Sequence, residues 1–236
     1  MPRFILSLLS LSLLSLSACA AQPQTQPESP STALSTYYPE IKYQEINPTP
    51  VAGIYEVVVE NDEVIYFAPA SGHIFFGDLW TDDARNLTQE NKNKRMTSKL
   101  KIFPLDQAIK IGDGPNQVIE VTDPDCPFCR HSSDYFAGRD DVTRYVFLFP
   151  LEKLHPHSAA KARFILAADD PEQAYDDVFG GKYDTQPVPD APDDTRLALY
   201  RDVVHKAGIN GTPHFWINGQ HVVGYNPKQF DALLNK

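Results

Sequence analysis

Short apolar runs separated by turn residues dominate the second half of the chain. Residues 118–121 are largely apolar and precede a Pro-containing turn, after which a helical pattern begins near Cys126. Residues 144–149 are almost wholly apolar, which is typical of a strand buried on both faces. The dipeptide Asn218-Gly219 predicts a β-hairpin close to the C-terminus. Strands that alternate with helices in this way predict an α/β domain with a right-handed crossover.

Helical periodicity follows the second of these strands. It predicts a helical insertion at about residues 153–208 and one more helix that closes the domain. The predicted helices cover residues 158–169, 171–179, 193–207 and 227–234.

The region before these elements has the pattern of short β-strands. Apolar and β-branched runs at residues 54–59, 64–67 and 74–76 are separated by turn residues and predict a β-meander. A domain of about 60 residues buries only a marginal core, and an exposed strand edge invites pairing with another chain. We therefore expect residues 37–95 to form a homodimer. The alternative is a small β-domain packed on its own catalytic partner.

A basic segment joins the two regions. Residues 96–110 are predicted to be a partly helical connector that Pro104 interrupts. The remaining residues, 111–236, form the predicted C-terminal domain. The basic residues around the start of the connector are predicted to be a solvated face, namely Lys92, Lys94, Arg95, Lys99 and Lys101.

The start of the chain has the pattern of an export signal. Arg3 precedes an apolar run, rich in Leu and Ser, that ends in the letters LSAC at Cys19. This ending resembles a bacterial lipobox, so residues 1–18 are predicted to be a lipoprotein signal peptide and Cys19 to be lipidated. The following Ala20 favours an anchor in the outer membrane that faces the periplasm. The alternative is ordinary cleavage, which leaves a soluble periplasmic protein.

Composition adds three constraints. Residues 19–36 contain hardly any aliphatic side chain, so they are predicted to be a lipid anchor followed by a disordered tether. The whole chain has 31 Asp and Glu against 21 Lys and Arg, and this acidic balance argues against nucleic acid or an anionic membrane surface as a partner. With Cys19 set aside, one cysteine pair remains, so no separate structural disulfide is available.

The candidate chemistry lies in Cys126 and Cys129, which begin the helix after the first apolar strand. Pro127 suits the first helical position, where its missing N–H costs nothing. There, unpaired N–H groups and the helix dipole stabilise a thiolate, so Cys126 is the predicted nucleophile. Cys129 lies on the same face one turn deeper, close enough to form a disulfide with it.

Two other uses of the cysteine pair are weaker. A zinc site needs about four ligands, and His131 is the one nearby side chain that adds to the two sulfurs. A purely structural disulfide across so short a loop removes little entropy from the unfolded chain. The sequence therefore predicts redox chemistry with no metal and no cofactor.

Other ionisable residues near the pair are secondary candidates. Glu120, on the predicted buried strand, is a candidate proton shuttle for Cys129, and the alternative is an edge or water-exposed carboxylate. The carboxylate of Asp125 is expected to oppose a thiolate at Cys126. Surface positions are predicted for four histidines, His131, His155, His157 and His214.

Several motifs together resemble one protein family. The letters DPDCPFC at residues 123–129, GTP at residues 211–213 and GY at residues 224–225 look like a thioredoxin-fold domain of the DsbC/DsbG disulfide isomerase type. The letters VAG at residues 51–53 and SGHI at residues 71–74 are similar to that family's small dimerisation domain. The resemblance covers about residues 40–236. It implies an α+β N-terminal dimerisation domain followed by an α/β thioredoxin-like domain with a helical insertion.

The resemblance also implies a mode of action. It implies a V-shaped homodimer whose two CxxC sites face a cleft that holds misfolded, disulfide-containing exported proteins. Thr212 and Pro213 then lie beside Cys126, with a cis bond between them, and bind a substrate strand. No organic cofactor is expected, and a membrane-embedded electron donor keeps the dithiol reduced.

The predicted function is thiol:disulfide interchange, as a disulfide isomerase or reductase. The alternatives are a DsbA-like dithiol oxidase and a chaperone-like binding module whose redox activity is secondary. The helical insertion has no second cysteine pair, and the dipeptide Pro127-Phe128 is closer to the DsbG type than to the DsbC type.

Overall fold

The computed structural model describes residues 29–60 and 62–235. The predicted signal peptide at residues 1–18 and the predicted lipid anchor Cys19 lie outside this part of the chain. Within it, no helix combines the length and the apolar character needed to cross a membrane.

The N-terminal part is an antiparallel sheet with one helix packed on it. Each strand pairs with the next along the chain, as predicted for a meander, so the first and last strands are the two edges. In chain order the elements are α1 (Pro30–Tyr37), β1 (Tyr43–Pro48), β2 (Tyr55–Val59), β3 (Val64–Ala68) and β4 (His73–Phe76).

Helix α1 corrects the predicted tether. Ser29 caps the helix by accepting a hydrogen bond from the Thr32 backbone N–H, and Pro30 occupies its first turn. Ala33 and Leu34 are buried against the sheet. The prediction of a disordered tether through residue 36 is therefore wrong from residue 30 onward. Two apolar side chains are enough to dock a short helix when a sheet offers an apolar face.

A second helix, α2 (Leu87–Lys99), links the two parts of the chain. It begins after its cap residue Asn86, well before the predicted connector at residues 96–110. Two short 3-10 turns follow it, at Leu100–Ile102 and Leu105–Gln107. The predicted boundary between the first domain and the connector therefore falls inside a helix.

Two basic residues of α2 are partly buried and ion-paired, in contrast to the predicted solvated face. The Arg95 guanidinium contacts the buried carboxylate of Glu56 at 2.8 Å. The Lys99 ammonium pairs with Asp62 of the N-terminal part and donates to the carbonyl of Ala207 in the C-terminal part at 2.9 Å. These contacts attach α2 to both parts of the chain.

The C-terminal part is a five-stranded mixed sheet. In chain order the strands are β5 (Ile109–Ile111), β6 (Asn116–Thr122), β7 (Val142–Leu148), β8 (His214–Ile217) and β9 (Gln220–Val223). They lie in the order β5-β7-β6-β8-β9, with β6 and β7 parallel and the other neighbours antiparallel. Strand β5 falls almost wholly in the predicted connector and is not predicted by the sequence.

Five helices accompany this sheet. Three of them lie between β7 and β8 and form the predicted helical insertion. This α/β part follows an α+β N-terminal part, so the predicted fold class is confirmed. The helices are α3 (Pro127–Ala137), α4 (Ser158–Ala167), α5 (Pro171–Phe179), α6 (Thr195–Lys206) and α7 (Pro227–Leu234).

Strand β6 is the central strand of the sheet and is buried on both faces. On one face its side chains join a cluster that includes Phe147 and Trp216. On the other face they join a cluster that includes Phe136 and Phe230. Because the turn to Cys126 begins where β6 ends, the two clusters fix the position of the cysteine pair.

The docking of α1 can be tested by one side-chain substitution. We expect Leu34→Ala to lower the free energy of unfolding by about 2–5 kcal/mol, because it removes a fully buried side chain and leaves a cavity. Urea denaturation measures the change. Leu154→Ala is the matched control, since Leu154 is 72% exposed and its truncation should cost less than about 0.5 kcal/mol. Equal and small effects of both substitutions would contradict a docked α1.

Candidate active site

The cysteine pair lies where strand β6 ends and helix α3 begins. Cys126 is the N-cap residue of α3, and Pro127 occupies its first turn. The preceding turn is closed by the Cys126 N–H, which donates to the Asp123 carbonyl at 3.1 Å. The predicted order of strand, turn and helix around Cys126 is confirmed. The backbone N–H groups of Phe128 and Cys129 in the first turn contribute to a lowered pKa of Cys126.

The two thiols differ in burial and therefore in acidity. Both are free, but Cys126 is 6% exposed and Cys129 is fully buried. A hydrogen bond from the Cys129 side chain, helped by the first-turn N–H groups, lowers the pKa of Cys126 to about 5. Burial raises the pKa of Cys129 well above its ordinary value. At neutral pH the pair therefore consists of a thiolate at Cys126 and a thiol at Cys129.

The turn before β8 lies beside the cysteine pair. The Cys126 Sγ and the Thr212 carbonyl oxygen are 3.7 Å apart, and the Thr212–Pro213 peptide bond is cis. The Thr212 hydroxyl oxygen is buried and has no hydrogen-bond partner among the described residues, and the Thr212 side chain contributes to the lowered pKa of Cys126. The structure thus brings both predicted substrate-binding residues to the side of Cys126.

Glu120 is fully buried in the centre of the sheet. Its carboxylate forms an ion pair with Arg144, with 2.8 Å between Nη2 and Oε2, and accepts a hydrogen bond from the Tyr175 hydroxyl at 3.3 Å. The alternative of an edge or water-exposed carboxylate is wrong. Among the hydrogen bonds of the described residues, none joins Glu120 directly to a cysteine sulfur.

Sequence reasoning missed the partners of Glu120. Arg144 begins a stretch that the sequence predicts to be an apolar strand, and Tyr175 lies in the predicted helix at residues 171–179. The available signal was a pair of opposite charges, Glu120 and Arg144, on two strands that were each predicted to be buried on both faces. Buried charges occur almost always in pairs.

The turn before Cys126 is fastened to the helical insertion through Asp123. This carboxylate is fully buried and accepts hydrogen bonds from the backbone N–H of Asp125 at 2.8 Å and of Leu151 at 2.6 Å. His155 lies with its Nδ1 3.0 Å from the same carboxylate. His155 is only 21% exposed, so its predicted surface position holds only in part, because the loop before α4 folds back onto the turn.

Asp125 also has partners that the sequence did not indicate. The Lys161 ammonium contacts its carboxylate at 2.6 Å, and the Arg130 guanidinium contacts it at 3.3 Å. Arg130 also contacts Asp184 and holds the pKa of that carboxyl below its usual range. The negative charge of Asp125, which was expected to oppose a thiolate, is thus compensated by cations.

The remaining histidines divide between surface and interior. His131 and His157 are exposed, as predicted. His214 is half-buried, and its Nδ1 lies 3.0 Å from Nε2 of His221, so its predicted surface position is wrong. Burial lowers the pKa of His214 to about 4 and that of His221 to about 3, so both are neutral at pH 7. Among the described residues, no group of three or more His, Cys, Asp or Glu side chains has the arrangement of a metal site.

The acidity of Cys126 gives a direct pH prediction. Its pKa of about 5 lies below the ordinary thiol value, so the thiolate is present above about pH 5 and disappears below it. We expect alkylation of Cys126 by iodoacetamide to rise with pH around a midpoint near 5, while Cys129 stays unreactive at neutral pH. Mass spectrometry assigns the modified sulfur, and Cys126→Ser is the control. A midpoint near 8.5, the value of a free thiol, would contradict the geometry.

Two family models match the chain. One, described as the disulfide bond isomerase protein N-terminal domain, matches residues 18–89. The other, described as a thioredoxin-like domain, matches residues 103–236. Together they cover both structural parts, and the second contains the whole cysteine site.

Named relatives agree with these matches. The probable thiol:disulfide interchange protein DsbC of Bordetella avium is 32% identical over 202 residues, which are 80% of this chain and 69% of that protein. The thiol:disulfide interchange protein DsbC of Escherichia coli K12 is 28% identical over 201 residues, 83% of each chain. The crystal structure of a disulfide interchange protein from Neisseria gonorrhoeae is 33% identical and has a TM-score of 0.51, covering 56% of this chain and 96% of that one. The chain therefore belongs to the DsbC family of thiol:disulfide interchange proteins.

Proposed function

We propose that this chain is a periplasmic disulfide isomerase whose attacking group is Cys126. The observation that supports it is the difference in acidity and burial between the two sulfurs. Cys126 has a pKa of about 5 and lies at the N-terminus of helix α3, whereas Cys129 is fully buried and keeps its proton. A stable thiolate is both the nucleophile and the good leaving group that disulfide rearrangement needs.

The first step forms a mixed disulfide. The Cys126 thiolate attacks one sulfur of a substrate disulfide, the S–S bond breaks, and the other substrate sulfur leaves as a thiolate. In isomerisation, another substrate thiolate then attacks the substrate sulfur bound to Cys126. A new substrate disulfide forms, Cys126 leaves as a thiolate, and there is no net oxidation or reduction.

The mixed disulfide can also be resolved by reduction of the substrate. Cys129 loses its proton and attacks the Cys126 sulfur, so the substrate leaves reduced and the chain is left with a Cys126–Cys129 disulfide. Two electrons must then return to the pair before another isomerisation cycle. A membrane-embedded electron donor is the proposed source of these electrons, and no organic cofactor is required.

Two groups around the sulfurs have proposed roles. Thr212 and Pro213 lie beside Cys126 and are the proposed contact for the backbone of a bound substrate strand. Glu120 is the proposed acceptor of the Cys129 proton, since it is the buried carboxylate on the strand that leads to the cysteine turn.

The proposed substrates are misfolded exported proteins with wrong disulfides, held between two copies of the chain. Strand β4 is an edge of the N-terminal sheet, and its Phe75 and Phe76 are 51% and 82% exposed. An unpaired edge with large apolar side chains favours strand pairing with a second copy. The proposed location is the periplasm, with Cys19 as a lipid anchor in the outer membrane and a soluble protein as the alternative.

A DsbA-like dithiol oxidase is the second candidate. A low pKa at Cys126 stabilises the reduced, thiolate form of the pair relative to the disulfide, which makes the disulfide form more oxidising. The redox state in cells separates the two candidates. A pair that is isolated mostly reduced supports the isomerase, and a pair isolated mostly oxidised supports the oxidase.

The isomerase can be tested with a scrambled multi-disulfide protein. We expect the reduced chain to restore activity to this substrate and Cys126→Ser to abolish the recovery, because no mixed disulfide forms. Cys129→Ser should keep a substantial part of the isomerisation but lose net reduction, since escape through Cys129 is blocked. Recovery that survives Cys126→Ser would support the chaperone-like binding module instead.

The dimer can be tested at its proposed edge. We expect Phe76→Lys to shift the sedimentation of the chain from dimer to monomer, because it places a charge on the exposed edge strand β4. The matched control is Val223→Lys, which changes an exposed apolar residue on the edge strand β9 of the other sheet. The monomer should still reduce a small disulfide but lose isomerisation of a protein substrate. A dimer that persists in Phe76→Lys would place the contact elsewhere.

A further inference from the structure

The residue before Cys126 carries a carboxylate that is held by a buried lysine. Lys161, on helix α4 of the insertion, is 5% exposed. Its ammonium contacts the Asp125 carboxylate at 2.6 Å and the Asp184 carboxylate at 3.1 Å. A lysine this deeply buried is unusual unless its charge is paired.

An arginine completes the group. Arg130, one turn into α3, contacts Asp184 at 2.5 Å and Asp125 at 3.3 Å. Its Nε also donates to the carbonyl of Pro124 at 3.0 Å. We call Asp125, Arg130, Lys161 and Asp184 the charge cluster. It contains two cations and two anions and therefore has no net charge.

The charge cluster lies beside the turn that precedes Cys126. All four of its residues line a groove of about 940 Å³ between the start of α3 and the helical insertion. Within the cluster, the charge of Asp125 should affect the Cys126 thiolate most, because Asp125 directly precedes Cys126 in the chain. Two negative charges close together disfavour each other.

We propose that Lys161 is a positioning residue for thiol chemistry, whose buried ammonium compensates the charge of Asp125 and thereby permits a negative charge on the adjacent Cys126 sulfur. The inference rests on Cys126 being the attacking sulfur of the proposed function. It assigns the helical insertion a part in the reaction, since Lys161 and Asp184 both belong to it.

Other charged groups around the turn have partners of their own. Asp123 contacts His155, and Glu120 contacts Arg144 deeper in the sheet. Neither of these pairs contains Lys161. Removing the Lys161 charge therefore leaves the charge cluster with one excess negative charge and leaves the neighbouring pairs as they are.

The test uses substitutions of opposite sign. We expect Lys161→Met to raise the pKa of Cys126 by about one pH unit, because Asp125 loses its nearer cation. Asp125→Asn should lower the pKa of Cys126, since it leaves an excess positive charge. The double variant D125N/K161M should return close to the wild-type value. The readout is the rate of iodoacetamide alkylation of Cys126 against pH, and below about pH 4 the rate of Lys161→Met should be about tenfold lower than wild type.

Lys182→Met is the matched control. Lys182 pairs with Asp177 on the surface of the same insertion and is half exposed, so this variant changes the total charge equally without touching the charge cluster. In Lys182→Met, the pKa of Cys126 should equal the wild-type value. Circular dichroism confirms that each variant is folded, and Asp125→Asn, which adds no apolar group to a charged site, gives a result even if Lys161→Met does not fold.

Two results would overturn the inference. One is an unchanged pKa of Cys126 in folded Lys161→Met, or in Asp125→Asn if the lysine variant does not fold. The other is a shift in the same direction for Lys161→Met and Asp125→Asn, which indicates a loosened turn rather than a charge effect. A wild-type Cys126 with the pKa of a free thiol is a different failure, because it contradicts the proposed nucleophile whatever the role of Lys161.

Discussion

The chemistry of this chain depends on one contact, that of a buried thiol with the sulfur one helical turn before it. The Cys129 side chain hydrogen-bonds to Cys126 and stabilises its thiolate, while burial keeps the proton on Cys129. The pair therefore holds one proton and one negative charge at neutral pH. This asymmetry follows from the position of the two cysteines after the central strand β6. Cys129 is fully buried, whereas Cys126 keeps a small exposed surface.

The helical insertion is the second constraint on the site. It supplies Leu151, His155 and Lys161 to two carboxylates, Asp123 and Asp125, in the turn before the cysteine. Buried ionic contacts of this kind contribute little net stability, because desolvation offsets most of their attraction, but breaking one leaves an uncompensated charge. Such contacts allow few alternative arrangements. The insertion thus contacts the cysteine turn through both carboxylates.

Local patterns predicted most of the fold, and long-range side-chain partners escaped prediction. Helices α5 and α7 have the predicted bounds, and Cys126 begins α3 as its neighbouring proline indicated. Arg144 and Lys161 were missed because their partners Glu120 and Asp125 lie 24 and 36 residues away, and no periodicity spans that distance. Helix α1 was missed for a related reason. Its few apolar side chains have no stabilising role until the sheet beneath them has formed.

Helix α2 determines where the cysteine site lies relative to the N-terminal sheet. The buried Trp216 donates its indole N–H to the Met96 carbonyl of this helix at 3.0 Å, and Lys99 joins Asp62 to Ala207. Undocking α2 would leave a buried indole N–H without a partner, which is costly. These contacts therefore favour a docked α2. In the proposed dimer, the separation of the two cysteine pairs follows from the fold of each chain as much as from the contact between them.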